Sequence, residues 1–116
     1  MDENRRALTI NLWDHVFGAP DPSRHLLDEG RFPANWVSRY RALVESATNA
    51  WGAENEWPSE AVSAVHFASL YLQGRYDAWR VGGNRNEKTE SQLTEVRGAS
   101  EAFLMLPVAR RKQTEP

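Results

Sequence analysis

The stretch PSEAVSAVHFASLYLQGRYDAWR, residues 58–80, carries the most regular hydrophobic pattern in the 116-residue chain. Mostly large apolar residues form one row at spacings of three and four, and mostly small residues form a second row beside it. The first row is Val62, Val65, Ser69, Leu72, Tyr76 and Trp79, and the second is Ala61, Ala64, Ala68 and Tyr71. A helix that is apolar on most sides must be surrounded by other elements. The stretch therefore predicts the central helix of an α-helical fold, with Gly74 marking a close crossing or a bend.

Weaker helical patterns on both sides of this stretch predict three more long helices and one short helix. A glycine or a proline stands near the end of each, and Gly52 is expected to end its helix in the left-handed conformation. The predicted spans are Asp2 to Phe17, a short helix between its cap Asp21 and Gly30, Pro33 to Gly52, and Asn84 or Asn86 to Pro107.

No segment alternates as a strand does, and the sequence contains no internal repeat. The predicted fold is therefore all-α, a compact bundle of four main helices plus one short helix. We expect one helical domain over residues 1–106, followed by a flexible C-terminal tail over residues 107–116.

Composition narrows the class of protein. The chain has no cysteine, which excludes disulfides, thiolate chemistry and cysteine zinc sites. Its 14 basic and 16 acidic residues give a net charge of −2, unlike the basic charge typical of nucleic-acid binding. It also lacks a leader-like start and an apolar run of about 20 residues. We expect a cytoplasmic protein that binds neither nucleic acid nor membrane.

The residues that usually carry catalysis do not form a recognisable motif. None of His15, His25 and His66 has a histidine three or four residues away, so no metal pattern exists. Ser63 and His66 share a helix face, but no third group completes a triad. The loop GGNRN, residues 82–86, lacks the P-loop pattern. We therefore predict no enzyme activity, no metal and no cofactor, with His66 as a hydrogen-bonded packing residue.

The charge distribution is the most distinctive feature of the sequence. No lysine or arginine occurs in the 33 residues between Arg41 and Arg75. A purely acidic surface is therefore expected at one end of the second and third long helices, around the connecting turn. The acidic residues of this stretch are Glu45, Glu54, Glu56 and Glu60.

Two tryptophans flank the acidic turn in WGAENEW, residues 51–57. Trp51 continues the apolar stripe of its helix, which places it partly in the core. Trp57 either fixes the next helix start by packing on Ala61 or Val62, or forms an interface with the glutamates, and both roles are compatible. The predicted partner-binding residues are Trp51, Glu54, Glu56, Trp57, Glu60 and Glu45.

With its small size, acidic balance and the aromatic, carboxylate-rich turn WGAENEW, the chain resembles the small helical immunity proteins of bacterial toxin systems. These include bacteriocin and contact-dependent inhibition pairs. The resemblance implies a cytoplasmic protein that neutralises a nuclease toxin by covering the toxin's basic active-site cleft. The alternative is a small helical subunit or regulator that self-associates, and the sequence leaves open whether the chain is a monomer or a weak homodimer.

Overall fold

The computed structural model describes residues 3–52 and 57–105, and all regular structure within them is helical. Four long helices and one short helix pack together, which confirms the predicted all-α bundle. The helices are α1 (Glu3–Phe17), α2 (Pro22–Glu29), α3 (Trp36–Trp51), α4 (Ser59–Arg80) and α5 (Glu87–Leu104). The predicted tail over residues 107–116, the predicted helix start at Asp2 and the predicted stop at Pro107 lie outside the described residues.

The predicted caps at both ends of α2 and at the start of α5 are present. The Asp21 carboxylate accepts hydrogen bonds from the backbone N–H groups of Ser23 and Arg24, at 3.0 and 3.4 Å, and so begins α2. Gly30 ends α2 in the left-handed conformation, with φ of 67°. Of the two candidate caps for α5, Asn86 is the one used, since its side chain accepts a hydrogen bond from Thr89 N–H at 3.2 Å.

The predicted start of α3 is wrong, whereas its predicted end at Gly52 is confirmed. The helix begins at Trp36 rather than Pro33, because Asn35 adopts the left-handed conformation (φ 63°) and the preceding residues form a turn. In that turn Trp36 N–H donates to the Pro33 carbonyl. At the other end Gly52 follows Trp51 as the cap, but it keeps right-handed helical angles, with φ of −56°, and its N–H donates to the Thr48 carbonyl. The predicted left-handed conformation of Gly52 is therefore wrong.

The long helices occupy the four corners of the bundle in an order that differs from their order in the chain. α4 packs against α1, α2 and α5, which confirms it as the central helix, whereas α3 packs against α1 and α5. α3 and α4 therefore lie on opposite corners. Near its start α1 contacts the end of α3, where Arg5 Nη2 donates to the Ala50 carbonyl, so α1 and α3 are antiparallel. α1 and α4 are parallel, since Glu60 lies beside Thr9 and Phe17 contacts Phe67.

Most of the predicted core rows of α4 are buried. Val65, Ser69, Leu72 and Tyr76 are buried, whereas Tyr71 is 58% exposed. A Cβ atom added at Gly74 would meet no atom within 4 Å, and α4 continues through this position as one helix. The predicted close crossing at this glycine is therefore wrong for the described residues.

Two tyrosine hydroxyls connect α5 to its neighbours. Ser100 Oγ donates to the Val96 carbonyl, so Tyr40 O–H donates to Ser100 Oγ, at 2.6 Å. Burial raises the pKa of Tyr40. Tyr76 O–H donates to the Glu90 carboxylate, also at 2.6 Å, and this hydrogen bond holds the pKa of Glu90 below its usual value. Every buried side-chain polar atom in the described part of the chain has a hydrogen-bond partner.

Candidate functional site

The predicted acidic turn is only partly described. Glu54 and Glu56 lie outside the described residues. Trp51 is 2% exposed and belongs to the core, so its ring is not accessible to a partner. The ring of Trp57 packs on Phe103 of α5 with centroids 4.7 Å apart, and its Nε1 donates to the Trp51 carbonyl at 3.0 Å. Trp57 thus fixes the chain before α4, and its ring contact is Phe103.

The two described glutamates of the predicted set lie in different places. Glu45 is exposed in a groove between α3 and α5, beside Arg41. Glu60 lies in a groove between α1 and α4, beside Arg6. The predicted purely acidic surface at the end of α3 and the start of α4 is wrong. α1 begins there and brings Arg5 next to the end of α3 and Arg6 next to the start of α4.

A row of four aromatic side chains crosses the surface between α1 and α4. The ring centroids of Trp13 and Phe17 are 4.4 Å apart, those of Phe17 and Phe67 are 4.9 Å apart, and those of Phe67 and Tyr71 are 5.1 Å apart. Three of the four are exposed, at 39% for Trp13, 38% for Phe17 and 58% for Tyr71. We refer to these four residues as the aromatic strip. Contiguous exposed apolar surface of this kind marks a binding site more often than isolated apolar residues do.

Apolar side chains and grooves extend the aromatic strip on both helices. Ile10 on α1 and Leu70 on α4 are each more than half exposed. A groove of about 440 Å³ adjoins Trp13, and another of about 350 Å³ lies between Phe17 and Tyr71. The first is lined by Arg6, Thr9, Ile10, Trp13, Asp14 and Glu60, and the second by Phe17, Val62, Ser63, His66, Phe67 and Tyr71.

The second groove corrects the prediction for His66. The side chain is exposed on α4 and makes no hydrogen bond to any residue in the described ranges, so it is not a packing residue. Ser63 lines the same groove but does not hydrogen-bond to His66 within residues 3–52 and 57–105. The two residues therefore form no activated nucleophile here.

A third groove, of about 770 Å³, lies between α1 and the start of α3. At its wall His15 Nε2–H donates to the Trp36 carbonyl, and Trp36 Nε1–H donates to the His15 carbonyl, both at 2.9 Å. The two rings also stack, with centroids 4.6 Å apart. Burial lowers the pKa of His15, and the nearby positive charge of Arg39 lowers it further. The two reciprocal hydrogen bonds and the ring stacking therefore join α1 to the start of α3 at the wall of this groove.

Neither metal chemistry nor membrane insertion receives support from the described residues. Within residues 3–52 and 57–105, no three His, Asp or Glu side chains converge in a way that would hold a metal ion. In the same ranges none of the helices combines the length and apolar character needed to cross a membrane.

Comparisons with known proteins add no relative. No protein-family model, curated protein or solved structure matches the chain. The candidate site must therefore be argued from its own geometry and chemistry.

The aromatic strip was not predicted, although the sequence contains a signal for it. Phe67 and Leu70 lie off both apolar rows of α4, and Trp13 and Phe17 lie beside the row that buries Leu12. Apolar residues off a core-facing row are candidates for a binding surface. The hydrophobic pattern of each helix does not show that α1 and α4 are parallel neighbours. That arrangement brings Trp13 and Phe17 of α1 next to Phe67 of α4.

Proposed function

We propose that this is a non-catalytic binding protein that holds a partner protein on the aromatic strip. The observation that carries the proposal is the unbroken ring contact from Trp13 to Tyr71 on a solvent-facing surface. Aromatic side chains bury a large area and lose few rotatable bonds, so they are frequent at the energetic centres of interfaces. The groove between Phe17 and Tyr71 offers a place for one apolar side chain of the partner.

The charges beside the strip favour a partner with basic residues. The Glu60 carboxylate receives only a long hydrogen bond of 3.4 Å, from Ser59 Oγ, and no ion pair within the described ranges. Its groove contains two acidic side chains, Asp14 and Glu60, and one basic side chain, Arg6. The exposed face of Tyr71 also suits a cation, because the ring face carries negative electrostatic potential. A partner with one basic residue near Glu60 and another over the ring of Tyr71, with an apolar anchor between them, would satisfy both groups.

A nuclease toxin is the partner class that we propose on this basis, with the present chain as its immunity protein. A nuclease cleft is basic because it binds a polyanion. Among the predicted glutamates within the described residues, Glu60 is the one that lies beside the aromatic strip. Trp57 packs against Phe103 and holds the chain before α4. The proposed contact surface is therefore centred on Phe67 and Tyr71 of α4 rather than on the predicted turn.

The test is calorimetry and a nuclease assay with a candidate toxin, chosen from the reading frames that neighbour this gene. The unmodified protein should bind the toxin and inhibit it. Tyr71→Ala should weaken binding about tenfold or more, because hot-spot aromatics carry about 2 kcal/mol or more each. Glu60→Lys should slow association, since it replaces an attractive charge by a repulsive one.

Glu95→Lys provides the matched control, because Glu95 is an exposed glutamate on α5. This variant should bind like the unmodified protein. If Tyr71→Ala and Glu60→Lys both bind and inhibit as Glu95→Lys does, the strip is not the toxin-binding surface.

A further inference from the structure

An outward-facing row on α1 combines opposite charges around an apolar centre. Arg6, Ile10 and Asp14 follow at intervals of four residues along the side of α1 that borders the groove beside α4, and all three are exposed, Ile10 at 51%. Neither Arg6 nor Asp14 has an ion pair within the described part of the chain. Eight residues separate them, about 12 Å along a helix, so they cannot pair with each other in one copy.

A second copy of the chain would bring these charges together. In a two-fold dimer, residue i of one copy meets residue j of the other, and j meets i. Arg6 and Asp14 lie at equal distances on either side of Ile10. An antiparallel pairing of two α1 helices, with the two-fold axis at Ile10, therefore places each Arg6 opposite the other copy's Asp14.

Helix geometry allows this pairing at a common crossing angle. Rows of residues four apart incline by about 26° to the helix axis, so they run side by side when two helices cross at about 50°. In this antiparallel pairing the two-fold axis lies in the contact plane, perpendicular to the rows of residues four apart. The row of residues three apart through Ile10 makes an angle of about 70° with those rows, so it runs close to the two-fold axis. Its members are Ala7, Ile10 and Trp13, all exposed.

The uncharged character of the row formed by Ala7, Ile10 and Trp13 fits a position on a two-fold axis. A residue on a two-fold axis meets its own copy, so a charged side chain there would meet a like charge. Ala7, Ile10 and Trp13 are all uncharged. Arg6 and Asp14 lie on either side of the axis and carry opposite charges, so each meets its opposite in the second copy.

We propose that two copies of this protein pair through α1, with Ile10 and Trp13 on the two-fold axis and two Arg6–Asp14 ion pairs across it. The pairing covers the exposed Ile10 and the face of Trp13. It leaves Phe67 and Tyr71 of α4 free, and it does not rest on the proposed function.

Mixing two charge-reversal variants tests the pairing directly. Arg6→Asp alone places Asp opposite Asp14, and Asp14→Arg alone places Arg opposite Arg6. Each variant by itself should dimerise about tenfold or more weakly than the unmodified protein, because like charges face each other twice. An equimolar mixture should recover the dimer, since one chain then carries both acidic and the other both basic residues. Sedimentation equilibrium measures the dissociation constants, and native mass spectrometry identifies the mixed dimer.

Three further variants test whether the effect is specific to the proposed contact. Arg97→Asp changes an exposed arginine on α5 and should leave the dimer unchanged. Ile10→Asp should break the dimer by placing two carboxylates on the axis, whereas Ile10→Leu should keep it. Circular dichroism of each variant checks that the helices remain.

Three outcomes would overturn the proposal: an unmodified protein that stays monomeric up to millimolar concentration, a dimer that neither reversal weakens, or a mixture that does not recover association. The α4 variant Tyr71→Ala distinguishes this result from a failure of the proposed function, because Tyr71 lies outside the proposed α1 pairing and its loss addresses toxin binding.

Discussion

At the scale of single residues, the contact between His15 and Trp36 shows how local chemistry connects two helices. Each residue donates a side-chain N–H to the other's carbonyl, and the rings stack. Neither hydrogen bond needs a proton on Nδ1, so the neutral imidazole can make both. A charged ring would be less well solvated here than in water and would lie near Arg39, which is why its pKa is lowered.

The first prediction concerns the stability of the protein below neutral pH. In the unfolded chain His15 takes up a proton near its ordinary pKa of 6.5, whereas the folded protein does so only at lower pH. The unfolded state therefore binds more protons in this window. The stabilisation is complete above about pH 6.5 and is lost as the pH falls through the folded pKa. The free energy of unfolding in urea should therefore fall between about pH 7.5 and about pH 5.5, with part of that fall caused by His15.

His15→Gln is the informative variant, because its amide can still donate to the Trp36 carbonyl but does not titrate. It should flatten the slope of unfolding free energy against pH in this range. His66→Gln removes an exposed histidine and serves as the control. An unchanged slope in His15→Gln would show that this ring does not cause the pH dependence.

The second prediction concerns two glycines with similar backbones and different surroundings. Gly30 and Gly83 have φ of 67° and 89°, so alanine strains the backbone at either position. A Cβ at Gly30 would lie 2.3 Å from the Trp79 ring, whereas one at Gly83 would meet nothing within 4 Å. Gly83→Ala should cost about 1 kcal/mol of unfolding free energy, and Gly30→Ala about 2 kcal/mol more because of the clash. Equal losses would mean that the Trp79 ring moves aside at little cost.

At the scale of the helices, the sequence specified the caps better than the connections. Asp21 and Asn86 each use a side-chain acceptor within three residues, so the information is local. The start of α3 follows the left-handed Asn35, whose side chain makes no capping hydrogen bond. The helical pattern around Pro33 contains no signal for that backbone conformation, so the predicted start was three residues early.

The third prediction concerns the hydrogen bond between α3 and α5. Tyr40→Phe removes the donor to Ser100 Oγ, which keeps its own bond to the Val96 carbonyl. We expect a loss of about 1 kcal/mol, since no buried polar group is left without a partner. Ser100→Ala should cost more, because the buried Tyr40 hydroxyl then lacks its acceptor. Chemical denaturation of both single variants and the double variant gives the coupling energy, and additive losses would contradict a direct interaction.

At the scale of the whole molecule, the candidate site arises from which helices are neighbours. Periodicity identified the core-facing sides of α1 and α4 but gave no information on their relative position. Glu60 lies exposed beside the aromatic strip, but its predicted purely acidic surroundings are wrong, because α1 places Arg6 in the same groove. Trp51 shows the opposite case, since its helical stripe already indicated the core position that the structure has.

The fourth prediction separates the two roles that the sequence left open for Trp57. Its ring packs on Phe103 and its N–H bonds to the Trp51 carbonyl, so it connects the start of α4 to α5 and α3. Trp57→Ala should cost about 2 kcal/mol of stability, less than a fully buried tryptophan does. Trp57→Phe should lie between, because it keeps ring packing and loses the hydrogen bond. Thermal unfolding measures both, and a stable Trp57→Ala that no longer binds its partner would favour the interface role instead.

The diagonal placement of α3 and α4 also constrains the order in which the chain can fold as it is made. When α4 has left the ribosome, α1 is the helix already present that packs against both α3 and α4, and α2 packs against α4. The acceptor for Tyr40 and the carboxylate for Tyr76 are still missing, because both belong to α5. A nascent chain at that stage keeps apolar surface open and suits chaperone binding. We therefore expect the native core to form only after α5 emerges from the exit tunnel, in one late step rather than helix by helix.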